Sequence, residues 1–121
     1  MVSKEFLFLD KVIYVDGKWA MYRGTTPTLT FALPFQAGII KNLFVTFSQK
    51  GQIVLEKTTA DCGLIGNTIE LNLTQEDTLK FRPGNAELQV RIIDNSNQAL
   101  ASKIYSINIC NILKDGIIEW D

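Results

Sequence analysis

The sequence contains no histidine, which removes the side chain most often used as a general base and as a transition-metal ligand. It has only two cysteines, Cys62 and Cys110, without the density or spacing of a disulfide framework or a zinc site. We predict two free, buried thiols in a reducing compartment, and a Cys62–Cys110 bridge is the alternative. The sequence also has no excess of positive charge, since it contains 12 Lys and Arg and 13 Asp and Glu. This balance argues against nucleic-acid binding.

Long apolar runs are missing as well. No stretch reaches the roughly 18 uninterrupted apolar residues that a membrane helix requires. The beginning of the chain has an apolar run from Phe6 to Leu9, but Asp10 and Lys11 interrupt it and no small-residue cleavage site follows. We therefore predict a strand there, no membrane span, and a chain that is made in the host cytoplasm.

What is present is the composition of one globular domain. The chain has 121 residues, of which 46% are hydrophobic and 21% charged. It has no internal repeat, low-complexity tract or linker rich in Pro, Gly or Ser. We predict a single domain over 1–121.

Apolar residues alternate with polar ones along most of the chain, as in Leu29, Phe31 and Leu33. Because alternate side chains of a strand point to opposite faces, this period predicts strands with one buried face. Turn signals such as Asp16-Gly17 separate the runs at short intervals and indicate an all-β sandwich or barrel. The predicted strands lie near 4–9, 12–15, 18–22, 27–33, 40–48, 52–57, 68–73, 86–93 and 102–111.

One segment, at 74–80, breaks this alternation. Thr74 is a good helix-capping residue, and its spacing to Asp77 is that of a weak capping box. Pro83-Gly84 ends the segment before the next strand. We predict a single helical turn at the crossover from one sheet to the other.

The sequence offers few candidates for catalytic residues. The carboxylates that could act as acids or bases lie mostly on predicted solvent faces or at the helical turn, and no pair stands out. Cys62 and the serines lack a histidine partner. The Gly63–Gly66 run is too short for a phosphate loop, and Asp94–Gln98 lacks the glycine and glutamate of a calcium loop. We predict no enzyme activity, no cofactor and no metal. The candidates weighed are Glu56, Asp61, Glu70, Glu76, Asp77, Glu87, Asp94, Ser48, Ser102 and Ser106.

Arginines and aromatic residues form no recognisable nucleic-acid platform. Arg23, Arg82 and Arg91 are scattered, and lysines are mixed among acids, so the sequence predicts no basic stripe. Three phenylalanines are instead predicted to lie in the core or at an interface, namely Phe44, Phe47 and Phe81.

The first nineteen residues are unusually hydrophobic for a terminal hairpin, with apolar residues on both strand faces. This hairpin is either a layer of the same domain or an intermolecular contact formed by strand addition or an oligomer interface. A third reading is that translation begins at Met21 and 1–20 is an extension. The candidate interface residues are Phe6, Phe8, Val12, Tyr14 and Trp19.

From Met21 onward the chain resembles small proteins of prophage tail modules in Gram-positive, chiefly Clostridia-like, bacteria. The resemblance covers 21–121 and leaves 1–20 outside. Its motifs are Met21-Tyr22-Arg23-Gly24-Thr25-Thr26-Pro27-Thr28-Leu29, Val45-Thr46-Phe47-Ser48-Gln49-Lys50-Gly51, Leu73-Thr74-Gln75-Glu76-Asp77-Thr78-Leu79-Lys80-Phe81 and Ile112-Leu113-Lys114-Asp115-Gly116-Ile117-Ile118.

The resemblance implies a virion role, because such genes lie among tail and baseplate genes, and it transfers no active-site residue. The layout is similar to the immunoglobulin-like N-terminal domain of phage upper baseplate proteins, which is a comparison of folds alone. The position of the helical turn agrees with an immunoglobulin-like antiparallel sandwich. Two features depart from antibody domains: the cysteines are not in the second and sixth strands, and no tryptophan occupies the middle strand.

We therefore expect a non-enzymatic structural protein of a phage or prophage tail or baseplate, located in the virion. Its expected partners are other tail or baseplate proteins and further copies of itself. The alternative is a receptor- or glycan-binding module of the tail, for which Trp19, Tyr22, Tyr105 and Trp120 are candidate sugar platforms.

Overall fold

The computed structural model describes residues 13–15 and 18–119, with ten strands and three short helical segments among them. The strands are β1 Ile13–Val15, β2 Lys18–Tyr22, β3 Thr28–Ala32, β4 Ile40–Gln49, β5 Gln52–Thr58, β6 Cys62–Ile65, β7 Thr68–Asn72, β8 Gly84–Asp94, β9 Ala99–Ala101 and β10 Tyr105–Cys110. The helical segments are α1 Gln75–Leu79 and the 3-10 turns Ala37–Ile39 and Thr59–Asp61.

The strands form two sheets. The larger sheet has the order β1-β2-β10-β8-β4-β5, with β9 also paired to β8, and the smaller sheet has the order β3-β7-β6. Neighbouring described strands are antiparallel except β2 and β10, which run parallel with Trp19 opposite Ile107. A three-stranded sheet that packs against a larger sheet with additional edge strands is the arrangement of an immunoglobulin-like sandwich. The predicted fold class is confirmed.

The core lies between the inner faces of the two sheets, where alternate residues of β3, β4, β7, β8 and β10 are buried. The alternation expected from the sequence is therefore correct for the long strands. Phe47 on β4 meets Phe81 edge-on, with ring centroids 5.6 Å apart and planes at 79°. The largest fully buried side chains are Leu29, Phe31, Leu43, Val45, Phe47, Ile69, Leu71, Leu73, Phe81, Leu88, Ile107 and Ile109.

The crossover between the sheets contains α1, which confirms the predicted helical turn. The Thr74 hydroxyl accepts a hydrogen bond from the Asp77 backbone N–H, and the Asp77 carboxylate accepts one from the Thr74 N–H, both at 3.0 Å. The Lys57 ammonium on β5 lies 3.1 Å from the other oxygen of Asp77. One buried carboxylate therefore caps the helix and joins it to the edge of the larger sheet.

The strand predicted over 102–111 is confirmed for Tyr105–Cys110 as β10 but not for 102–104, and β9 before it was not predicted. β9 and β10 pair with successive parts of β8, and Ser102 lies at the break between them. The Ser102 N–H donates to the Val90 carbonyl at 2.9 Å, while the Val90 N–H donates to the Ser102 hydroxyl at 3.0 Å. The hydroxyl replaces a backbone acceptor, so β8 stays satisfied although its partner strand is interrupted.

The N-terminal hairpin is present as β1 and β2, with Tyr14 opposite Trp19. The strand predicted near 4–9 lies outside the described residues. The boundary between 1–20 and 21–121 falls within β2, whose Ala20 is fully buried. Strand β6 was not predicted, because its four residues are half-buried or exposed and include Gly63.

The pairing of Asp77 predicts a pH-dependent stability. Burial alone would raise the pKa of Asp77, but the Thr74 N–H and the Lys57 ammonium outweigh it, so its pKa lies below 3.8. A carboxylate with a lowered pKa stabilises the fold above its unfolded pKa and loses that effect as pH falls through its folded pKa. We expect Asp77→Ala to lower the free energy of unfolding by about 1–2 kcal/mol at pH 7.

Urea unfolding of both proteins at several pH values measures this difference, which should shrink below pH of about 4. Glu76→Ala, in the same helical turn, is the matched control, and it should cost about 0.5 kcal/mol or less. A difference for Asp77→Ala that persists unchanged at pH 2 would contradict the role assigned to its charge.

Candidate protein-interaction surface

The structure describes only some of the predicted interface residues. Phe6, Phe8 and Val12 lie outside the described residues, and so does the side chain of Tyr14, whose backbone is in β1. Trp19 is half-buried and packs against the core. Of the five, Trp19 alone has a described side chain, and it belongs to the edge of the core.

A second candidate surface is the outer face of the larger sheet. Leu43, Val45 and Phe47 point into the core, so the residues between and after them on β4 point outward. The β8 residues that pair with these outward residues point outward as well. The name "outer face" is used here for this row and for the adjoining residues of β5, β9 and the segment before β10. Its members are Phe44, Thr46, Ser48, Ile53, Glu56, Glu87, Gln89, Arg91, Ile93, Ala99, Ala101 and Ile104.

Two hollows lie on the outer face. One has a volume of about 190 Å³ and is lined by Phe44, Ile93 and Ala99 together with Asn42, Arg91 and Ile92. The other, of about 100 Å³, lies beside Ile104, Glu87 and Gln89. Phe44 is 40% exposed and Ile104 58%, although most large apolar side chains of the described residues are buried. A sheet face with such residues exposed is typical of a contact surface.

Polar and charged groups are interspersed on the same face. Glu56 accepts a hydrogen bond from the Thr46 hydroxyl at 3.0 Å, across β4 and β5. Arg91 lies opposite Phe44 and Glu87 opposite Ser48, on β8 and β4. The outer face therefore carries one cation and two carboxylates around its apolar residues, a mixture suited to a specific contact.

A basic cleft that the sequence alone does not reveal lies beside the β4–β5 hairpin. The cleft has a volume of about 660 Å³ and lies between this hairpin and the segment 80–85. Lys50, Lys80 and Arg82 line it, and no carboxylate does. The expectation of no basic stripe did not anticipate this cleft, because Lys50 and Arg82 lie far apart in the sequence and only the fold places them on one lining.

Gln49 fixes the two walls of this cleft to each other. Its side-chain amide donates to the Arg82 carbonyl at 2.7 Å and to the Asn85 carbonyl at 3.4 Å. Its side-chain carbonyl accepts from the Arg82 N–H at 2.9 Å. The backbone of the 82–85 segment is thereby held against the end of β4.

The carboxylates considered for catalysis have structural partners or stand on open strand faces. Asp77 caps α1, and Asp61 accepts from the Thr58 N–H at 2.9 Å in a second capping box. Asp94 accepts from two N–H groups of the turn between β8 and β9, so the segment considered for calcium is a turn. Glu76 is exposed in the first turn of α1, and Glu70 is half-exposed on β7.

Nucleophiles and metal ligands are equally unpromising across the described residues. Both cysteines are free and half-buried, in β6 and β10. Burial and the nearby Asp61 raise the pKa of the Cys62 thiol to about 11, against the pull of Lys57. Ser102 is used at the strand break, and the Gly63–Gly66 run is β6 with the turn after it. No group of three or more potential metal ligands occurs there.

The candidate sugar platforms do not form a row. Tyr22, at the end of β2, is 41% exposed. Trp19 and Tyr105 pack against the core, and the Lys103 ammonium lies 5.2 Å from the centre of the Tyr105 ring. Trp120 lies outside the described residues. Among the predicted phenylalanines, Phe47 and Phe81 are core residues, while Phe44 is on the outer face.

The raised pKa of Cys62 predicts slow alkylation. In a Cys110→Ser variant, we expect native Cys62 to react with iodoacetamide at pH 8 about a hundredfold more slowly than the urea-unfolded protein, because little thiolate forms. The rate should still rise with pH at pH 10. A native rate close to the unfolded rate would contradict this, and Cys62→Ser is the control that reports Cys110 alone.

None of the helical segments in the described part of the chain is long and apolar enough to cross a membrane. Comparison with models of known protein families gives no match for this chain, and comparison with curated proteins gives none either. Its function is therefore inferred from the surfaces described above and from the motifs of the sequence.

Proposed function

We propose that the chain is a non-enzymatic structural component of a phage or prophage tail or baseplate, and that it acts in the virion through protein–protein contacts. The observation that supports contact formation is the outer face, where exposed Phe44 and Ile104 and half-buried Ile93 leave the water-facing side of a sheet partly apolar. The assignment to a tail or baseplate rests on the resemblance of residues 21–121 to prophage tail-module proteins.

The dimensions of the outer face suit a protein partner. With strands about 4.8 Å apart and about 3.3 Å of length per residue, the 31 residues of β4, β5, β8 and β9 cover roughly 500 Å². A standard interface buries about 800 Å² on each partner. A contact of this size exceeds what a small ligand would cover.

A second copy of the chain is one partner under this proposal. Glu87 and Arg91 lie on the same strand, two residues on either side of Gln89. A two-fold axis through Gln89 would bring Arg91 of one copy to Glu87 of the other, twice. The face can therefore pair these two charges with a second copy of itself.

A receptor- or glycan-binding module is the second candidate, and exposed Tyr22 is the observation in its favour. Trp19 and Tyr105 pack against the core instead. Binding to a glycan array by the wild-type chain and its loss in Tyr22→Ala would favour this function over assembly.

The virion role predicts that the protein is part of the particle. We expect an antibody against the chain to label the tail or baseplate of induced, purified particles from the strain that encodes it, in electron microscopy. Particles from a strain lacking the gene are the control. If the protein is absent from purified particles while other tail proteins are present, the virion role is wrong.

Self-association through the outer face predicts a change of mass in solution. We expect light scattering after size-exclusion chromatography to give a dimer or larger species for the wild-type chain and a monomer for Phe44→Asp/Ile104→Asp, since buried unpaired carboxylates oppose the contact. Ile65→Asp, which changes an exposed isoleucine of the other sheet, should leave the mass unchanged. A monomeric wild-type chain at high concentration would contradict self-association.

A further inference from the structure

We infer that the basic cleft between the β4–β5 hairpin and the segment 80–85 binds an extended peptide segment of a partner protein that carries both acidic and apolar side chains. This site adjoins the outer face and shares Ile53 with it. The ligand chemistry follows from the charges of the cleft, its apolar lining and the open edge of β5.

The charge of the cleft is the first argument. Lys50, Lys80 and Arg82 are exposed along it, and its lining has no carboxylate. Elsewhere in the described chain the ion pairs are Arg23 with Asp115 and Lys57 with Asp77, so neither uses a cation of the cleft. Three of the twelve cationic residues of a chain with net charge −1 therefore surround one concave site, and none of them forms an ion pair with another described residue. Such a site attracts a negatively charged partner.

The shape and lining of the cleft are the second argument. Its volume of about 660 Å³ lies in the usual range of binding pockets, and Gln49 holds its walls together before any ligand arrives. Ile53, which is 66% exposed, lies in the lining with Val54 and Pro83. A ligand that fills the cleft must offer apolar groups as well as carboxylates. A bare inorganic anion lacks the first.

The backbone of β5 is the third argument. Within the described residues β5 pairs with β4 on one side and has no strand on the other, so it is an edge of the larger sheet. Gln52, Ile53 and Val54 belong both to this edge strand and to the cleft. An extended peptide can therefore add to β5 by backbone hydrogen bonds while its side chains reach the cleft.

A polypeptide fits these features better than a nucleic acid. Single-stranded nucleic acids are held by aromatic side chains on which bases stack, and the lining of the cleft contains no aromatic residue. If the chain is a tail component, a neighbouring tail protein would supply the peptide, and that statement alone rests on the proposed function.

The test measures binding of a fluorescein-labelled ten-residue peptide, in which glutamate alternates with valine, to the full chain by fluorescence anisotropy. We expect the wild-type chain to bind it and added salt to weaken the binding. Lys50→Glu/Arg82→Glu should weaken it about tenfold or more. Lys41→Glu/Lys114→Glu changes the net charge equally at exposed positions outside the cleft, and should change the affinity less than twofold.

Several results would overturn the proposal. They are no binding to the wild-type chain, equal weakening by the two double variants, or equal binding of a peptide with glutamine in place of glutamate. An oligothymidylate that binds as tightly as the peptide, and is lost in Lys50→Glu/Arg82→Glu, would replace the peptide by a nucleic acid. Thermal unfolding checks that both variants fold. Failure here leaves the labelling of virions unaffected, so the two proposals can fail separately.

Discussion

The structure depends on two apolar sheet faces that must cover each other. Leu43, Val45 and Phe47 from the larger sheet are fully buried, as are Phe31 and Leu71 from the smaller one. Burying side chains of this size removes apolar surface from water, which is the dominant favourable contribution to folding. Only the inward-facing residues, which are every second residue of a strand, must be apolar. The outward residues of the same strands are free to differ, and that freedom allows one face of the larger sheet to become a contact surface.

The passage from one sheet to the other is fixed by a small number of polar contacts. Asp77 serves the helix N-terminus and the Lys57 ammonium at once, and Phe81 then enters the core against Phe47. Directly after this anchor, Arg82 enters the basic cleft and its backbone is held by Gln49. The connection between β7 and β8 therefore closes the sandwich and also places the charge of Arg82 in the basic cleft. The position of the cleft follows from the way in which the core is closed.

The sequence predicted those features that a local pattern determines. Alternation located β3, β4, β5, β7 and β8, because one side of each had to be apolar, and the Thr74–Asp77 spacing located α1. It could not locate β6, whose four residues show little contrast between faces, nor the break at Ser102, where a hydroxyl substitutes for a backbone acceptor.

The surfaces were harder to predict than the strands. The alternation of β4 places Phe44 on the face opposite to Leu43 and Val45. Only the pairing of β4 with β8 shows that Phe44 adjoins Arg91 and Ile93. Lys50 and Arg82 each look like ordinary surface residues, and only the tertiary fold places them on one cleft. Features that need contacts between distant segments are the ones that a single sequence leaves open.

The parallel pairing of β2 with β10 has a mechanical consequence. The chain enters β2 at Lys18 and leaves β10 at Cys110, and in a parallel pair these points lie at opposite ends. A force that pulls the segments before β2 and after β10 apart therefore acts along the strands. It loads the bonds between the four paired positions together, from Trp19 with Ile107 to Tyr22 with Cys110, instead of opening them one at a time. Tension between these flanking segments meets resistance as shear.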